Sequence, residues 1–382
     1  MGMIEKCAEI LSDQNRTAFI ILLGILLAMI VILVIARVYV SGFQADSSKN
    51  GGIEAMRLVI SICVVVHHYC GYSPGGYLGV DFFFVLSGFF LMKHFERYEG
   101  SNNCAAEAAM QYTFERYKRI IPHYIFTCIL ALILTLYIDG HLSVLDWIQN
   151  GMWELLMLEA FGMTENLMIG PGWYCSALLI AGFVIYYFLS KFKKTYLYFV
   201  APFSFMGIFA WMMNQFGHLN RWLQYDTVIS TGVLRGFAEI GLGCICYKIA
   251  EVILCKKKVF IWQSTLLEVI CVISILYTIR FQGLSRSDFS CVLFMAALIT
   301  SLFIKNSLWS RFFNHWLFKY MGKISMAVFL NHMILGKIDW SQLFHVSWNI
   351  SFLFYVFFVI LFSSLSTELV ELAERKYWEE KR

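Results

Sequence analysis

Arg57-Leu-Val-Ile-Ser-Ile-Cys-Val-Val-Val-His67-His68 is an apolar stretch with a guanidinium at one end and imidazoles at the other. As a helix, the eleven steps from Arg57 to His68 turn the chain through about 1100°, within roughly 20° of whole turns, so those two side chains share a face. His67 is turned away by about 100°. The axial separation of roughly 16 Å is half of a ~30 Å hydrocarbon core, so with Arg57 at an interface His68 is expected buried near mid-membrane. An ionisable group there is expensive and marks a functional position.

The whole chain agrees with that reading of one segment. Its 382 residues are 59% hydrophobic and 15% charged, too apolar for a soluble globule and typical of a multi-spanning all-α integral membrane protein. The formal net charge of +4 excludes an electrostatic case for nucleic acid. Apolar runs predict spans near 18–36, 58–73, 77–92, 121–138, 173–190, 196–213, 227–247, 259–279, 289–304, 324–338 and 349–367. Alternating them places 23 of the 30 Lys and Arg residues on one face. By the positive-inside rule that face is cytoplasmic, which puts the N-terminus outside and the C-terminus inside.

The first span has acids before it (Glu5, Glu9, Asp13) and is too long for a cleaved leader. It reads as an extra anchor helix (1–43), joined by a cytoplasmic linker (44–52) to a ten-helix membrane domain (53–370) and a cytoplasmic tail (371–382). The eleven cysteines are scattered without CxxC or zinc-ligand spacing, so neither a disulfide framework nor a metal site is expected.

Beyond His68 the run Gly71-Tyr-Ser-Pro-Gly-Gly-Tyr-Leu-Gly79 forms a turn, and Asp81 heads the next apolar helix. The flanking apolar runs are short for full spans, so the turn is expected to dip inward and carry Asp81 toward His68. Arg57-x10-His68, followed by Gly-Gly-Tyr-Leu-Gly-Val-Asp81-Phe-Phe-Phe-Val-Leu-Ser87-Gly88-Phe, resembles the acyltransferase-3 family of integral membrane acyltransferases. Four further stretches agree: Arg116-Tyr-Lys-Arg119-Ile-Ile-Pro122, Gly170-Pro-Gly-Trp173-Tyr-Cys-Ser176, Arg235-Gly-Phe-Ala-Glu239-Ile-Gly-Leu-Gly243, and Gly322-Lys-Ile-Ser325 running to His332. The likeness covers roughly residues 52–370.

That resemblance implies a bacterial cell-membrane enzyme that takes an acyl group, usually acetyl, from cytosolic acetyl-CoA. The acceptor is a hydroxyl of an extracytoplasmic glycan or lipid-linked sugar, and other envelope-biosynthesis proteins are expected partners. The position matching the family's essential histidine is His68 and the matching arginine is Arg57; Arg116 and Arg119 match the basic pair associated with acyl-CoA. Guanidinium groups suit CoA phosphates because they bond bidentately. A neutral imidazole can take the proton of an attacking hydroxyl, or carry the acyl group itself. Asp81 is the candidate that orients it.

Other residues carry two readings. Trp173 is an interfacial anchor or lines the acceptor entrance, and His332 is a second proton relay or an interhelical hydrogen bond. Arg235 and Glu239, four apart, are expected as a structural ion pair, and Pro122 suits a first helical turn. Many members acting on bacterial O-antigens carry glutamates shortly after the tryptophan. Here Trp173-Tyr-Cys-Ser-Ala-Leu-Leu-Ile is uncharged, and Glu154 or Glu159 is the candidate substitute in acceptor binding. The competing function is a carrier that moves an acyl group or glycan without transfer chemistry. No second copy of the Arg57–Ser87 pattern supports the paired broken helices that a carrier usually has.

Overall fold

The computed structural model describes residues 49–71, 73–100, 104–139, 144–162, 169–224, 229–256 and 260–379. Among these residues the chain is helical without strands, and seven helical segments are long and apolar enough to cross a membrane. The described chain divides into two compact units, one running up to Ser73 and resuming at Phe313, the other spanning Pro74–Phe312. The expected anchor span at 18–36 lies outside the described residues. Within the described residues the other expected spans overlap helical segments.

In the first unit, α1 (Gly51–Cys70) begins where Asn50 accepts from the amides of Gly52 and Ile53, at 3.1 and 3.4 Å. It ends at Gly71, whose φ of 63° is the left-handed cap conformation that glycine adopts freely. At 20 residues α1 is about 30 Å long and spans a hydrocarbon core unaided. The apolar run alone had suggested a shorter span. The helix starts six residues before Arg57 because the cap lies there, so Arg57 is inside α1 and His68 is in its last turn. The same unit holds α11 (Trp316–Leu335), a short α12 (Trp340–Phe344) and α13 (Trp348–Glu379). α11 lies against both α1 and α13, and a Cβ at Gly322 would overlap the Glu54 carboxylate.

The second unit opens with a 3-10 turn at Gly76–Leu78 leading into α2 (Gly79–Tyr98), followed by α3 (Ala105–Asp139), α4 (Val144–Leu155) and α5 (Gly172–Thr195). Next come a π turn at Tyr196–Val200, α6 (Ala201–Gln215), α7 (Thr231–Lys256), α8 (Ile261–Phe281), α9 (Ser287–Ile304) and α10 (Leu308–Phe312). α7 sits among α2, α5, α6 and α9. Its closest approach is to α2, where a Cβ at Gly88 would overlap the Ile240 carbonyl and one at Gly243 the Val85 carbonyl. Two glycines on facing helices remove the side chains that would hold the backbones apart. α7 and α11 are not among the seven strongly apolar segments. Both carry buried polar groups, Arg235 and Glu239 toward the start of one and Asn331 and His332 toward the end of the other.

Pro122 corrects an expectation. It lies well inside α3, not in its first turn, because the helix begins at Ala105. The Ala-rich segment Ala105-Ala-Glu-Ala-Ala109 has high helix propensity and extends α3 beyond the apolar run. Arg116 and Arg119 therefore stand on a continuous helix, three apart and on neighbouring positions of one face.

Candidate active site

In the first unit, α1 and α11 bring histidines together. The rings of His68 and His332 have centroids 5.1 Å apart with an interplanar angle of 41°. Of the three rings, His68 is the one that the surrounding protein leaves exposed. It occupies the last turn of a helix that stops at Gly71, so less of the neighbouring structure covers it. His67 faces elsewhere, as helical phase predicts: its Nδ1 donates to the Ser73 carbonyl at 2.7 Å and ties down the chain leaving α1. His332 is fully buried, and its Nδ1 donates to the Phe329 carbonyl at 2.7 Å. The Nε2 of His332 is buried without a hydrogen-bond partner among the described residues.

The mount of His332 is rigid. Tyr355 of α13 donates its hydroxyl to the His332 carbonyl at 3.0 Å, and the Asn331 amide reaches the Ser363 hydroxyl at 3.3 Å. Tyr69 of α1 stacks on Tyr355 with centroids 4.2 Å apart, which joins the helix bearing His68 to α13. Arg57 is half-buried and donates to Glu54 one turn earlier at 2.9 Å. Its guanidinium is thus balanced by an acid of the same helix.

The second unit holds a separate charge cluster. Asp81, in the first turn of α2, accepts from Arg235 Nη2 of α7 at 2.6 Å, with both side chains buried. Glu239, one turn along α7, stands 3.8 Å from Arg235 Nε. The ion pair expected between Arg235 and Glu239 is therefore present, but Asp81 is the nearer partner. Trp173 is buried, with the Arg235 guanidinium carbon 5.8 Å from its ring centroid, so it packs on a cation inside the protein. Asp288, at the head of α9, accepts from the Tyr77 hydroxyl at 2.5 Å and the Leu219 amide at 2.9 Å. Sequence reasoning missed Asp288 even though it shows the signal that singled out Asp81, an acid opening an apolar helix.

Of the remaining candidates, Glu154 and Glu159 are fully buried in the second unit. Glu154 accepts from the Ile169 amide at 3.1 Å, and Glu159 accepts from the Tyr124 hydroxyl of α3. Burial pushes the Glu159 carboxyl up to about 7, against the lowering effect of the Tyr124 bond. Arg116 is half-buried and Arg119 exposed, with Arg116 5.9 Å from the Tyr112 ring centroid. Tyr112 stacks on Tyr186 at 4.6 Å. Tyr186 in turn lines a 580 Å³ cavity at the ends of α2 and α5 and the start of α3, together with Tyr98, Tyr187 and Lys191.

A family model described as an acyltransferase domain matches residues 50–368. No curated protein and no solved structure matches the chain.

Proposed function

Because the chain belongs to the acyltransferase-3 family and is a multi-pass membrane acyltransferase of the non-aminoacyl kind, we propose that it is an O-acetyltransferase of the bacterial cell envelope. The donor is cytosolic acetyl-CoA. The acceptor is a hydroxyl of an extracytoplasmic or lipid-linked glycan, and the side of the membrane follows from the distribution of Lys and Arg.

The observation that carries this reading is His68, an exposed imidazole at the end of a membrane-length helix, on the same helical face as Arg57. An open imidazole face admits an acceptor hydroxyl, and its ring nitrogen accepts the proton as the oxygen attacks the thioester. Attack of the same nitrogen on the thioester, giving an acyl-imidazole, is the covalent form of the chemistry. Arg57, Arg116 and Arg119 serve the CoA phosphates. The 580 Å³ cavity, with Tyr186 and Lys191 in its wall and Arg116 near the Tyr112 ring that stacks on Tyr186, suits the purine nucleotide end of the donor. Trp173 belongs to the acceptor side. Glu154 and Glu159 are assigned to the same side and are buried in this structure.

Mass spectrometry of envelope glycans from cells with and without the gene tests the proposal. An acetyl-sized mass present only with the gene is the expected result. Unmodified glycan that accumulates on the wrong side of the membrane in the mutant would overturn transfer and favour a carrier.

A further inference from the structure

We infer that His332 is the positioning residue of the active site, accepting a hydrogen bond from His68 and so fixing which imidazole nitrogen faces the substrate. The inference rests on the reading of His68 as base or acyl carrier. It gives His332 the role that the sequence reading gave to Asp81, whose Oδ1 accepts from Arg235 in the second unit.

The argument starts from the tautomer of His332. A carbonyl oxygen only accepts, so the 2.7 Å contact with Phe329 requires the hydrogen on Nδ1. In the neutral ring Nε2 then carries a lone pair. That atom is buried and has no protein partner among the described residues, an arrangement that folding does not favour. The neighbouring imidazole is His68, at a ring-centroid distance of 5.1 Å. Two imidazoles joined by a linear N–H···N bond have centroids about 5 Å apart, given a donor–acceptor distance near 2.9 Å. The spacing is right and a rotation of the exposed His68 ring completes the bond. The His332 ring is held in its orientation by the Nδ1 bond to the Phe329 carbonyl.

With one His68 nitrogen donating to His332 Nε2, the other is unprotonated and open to the acceptor. As the acceptor oxygen bonds to the acyl carbon, the thioester C–S bond breaks. The hydroxyl proton passes to His68 and then to the departing CoA thiolate. His332 stays neutral and touches no reacting atom. His67 does not compete for it, since its own Nδ1 is taken by Ser73.

Three variants and one spectroscopic measurement test this. His332→Asn keeps a donor near Phe329 but removes the acceptor at Nε2. It should lower kcat about ten- to a hundredfold with KM for acetyl-CoA unchanged and the unfolding midpoint near wild type. His332→Gln places an amide oxygen near the Nε2 position and should recover part of the loss, whereas His332→Ala should not. Wild-type kcat in His332→Asn, or activity that follows the unfolding midpoint through all three variants, would reduce His332 to a packing residue and overturn the inference. The pair can also be seen without turnover. In protein labelled with ¹⁵N-histidine, the His332 Nε2 resonance should shift in His68→Ala, and an unmoved resonance would refute the bond whether or not the variants fold. Absence of any acyl transfer by wild-type protein would instead overturn the proposed function, leaving the spectroscopic result standing on its own.

Discussion

Replacing Asp81 with Asn separates a structural acid from a catalytic one. Asp81 and Arg235 are 2.6 Å apart and buried, and breaking a buried ion pair by removing one partner costs about 3–5 kcal/mol, chiefly because the other charge stays behind. Glu239 remains 3.8 Å from Arg235 and keeps part of the compensation, so Asp81→Asn should fall at the lower end, about 3 kcal/mol. Arg235→Met leaves two acids facing an apolar interior and belongs at the upper end, about 5 kcal/mol. Once the guanidinium is gone, Asp81 is itself a liability. The double variant Asp81→Leu/Arg235→Met should therefore cost no more than Arg235→Met alone, a strongly non-additive cycle. The assay is denaturant unfolding in lipid–detergent micelles, with acetyl transfer measured per folded molecule. Asp81→Asn should unfold early yet transfer acetyl when folded. A variant as stable as wild type but inactive would refute the structural assignment and return Asp81 to the catalytic machinery.

Four other outcomes follow from the geometry. His68→Ala should abolish transfer without loss of expression, whereas His67→Ala, which removes only the 2.7 Å bond to Ser73, should lose about 1 kcal/mol of stability and keep substantial activity; the reverse pattern would break the helical-phase argument. Arg119→Lys keeps the charge but loses the planar fork, so acetyl-CoA binding measured calorimetrically should weaken about ten- to a hundredfold, and unchanged binding would leave Arg119 a membrane anchor. The raised pKa of Glu159 favours the folded state fully below its ordinary 4.5, and that contribution is lost as pH rises through about 7. Unfolding free energy of wild type relative to Glu159→Gln should accordingly fall by about 3 kcal/mol across that window, and parallel curves would refute the shift. With native cysteines removed, a cysteine near Lys193 should resist an impermeant thiol reagent in intact cells and one near Gly217 should react; the opposite labelling would invert the topology and move the donor arginines away from the CoA pool.

The helices were legible in the sequence because an apolar run long enough to span leaves the backbone no other way to satisfy its hydrogen bonds in lipid. Their ends were less so. Hydropathy stops at Leu58, but α1 starts at Gly51, where Asn50 caps it, and α3 runs through Ala105–Ala109, well before the apolar run that marks its span. The site was legible in its faces and not in its partners. Helical phase separated His68 from His67, and His67 is the one that bonds to the Ser73 carbonyl. Phase cannot say that Asp81 finds Arg235, 154 positions along the chain, or that α11 turns His332 toward α1. Those pairings depend on how helices pack, which glycine contacts such as Gly88 against Ile240 and Gly322 against Glu54 decide. An acid opening an apolar helix announces a buried partner, but the partner of Asp288 is a tyrosine and that of Asp81 a cation.

The choice of partner for the base has a mechanistic consequence. A carboxylate beside an imidazole stabilises the imidazolium that forms in proton transfer, but in a low-dielectric region it must itself be desolvated and compensated. In this chain the guanidinium of Arg235 compensates Asp81 within the second unit. A neutral histidine carries no such cost, and it stabilises an imidazolium less. The arrangement His68–His332 thus disfavours a long-lived charged base and favours transfer in which the hydroxyl proton moves on to the leaving thiolate as the C–S bond breaks. A thiolate is a far better leaving group than the alkoxide of an ester, so such a reaction needs orientation of the base more than it needs a fixed negative charge behind it. The rigid mount of His332 on Phe329 and Tyr355 supplies orientation, and the exposed ring of His68 supplies access.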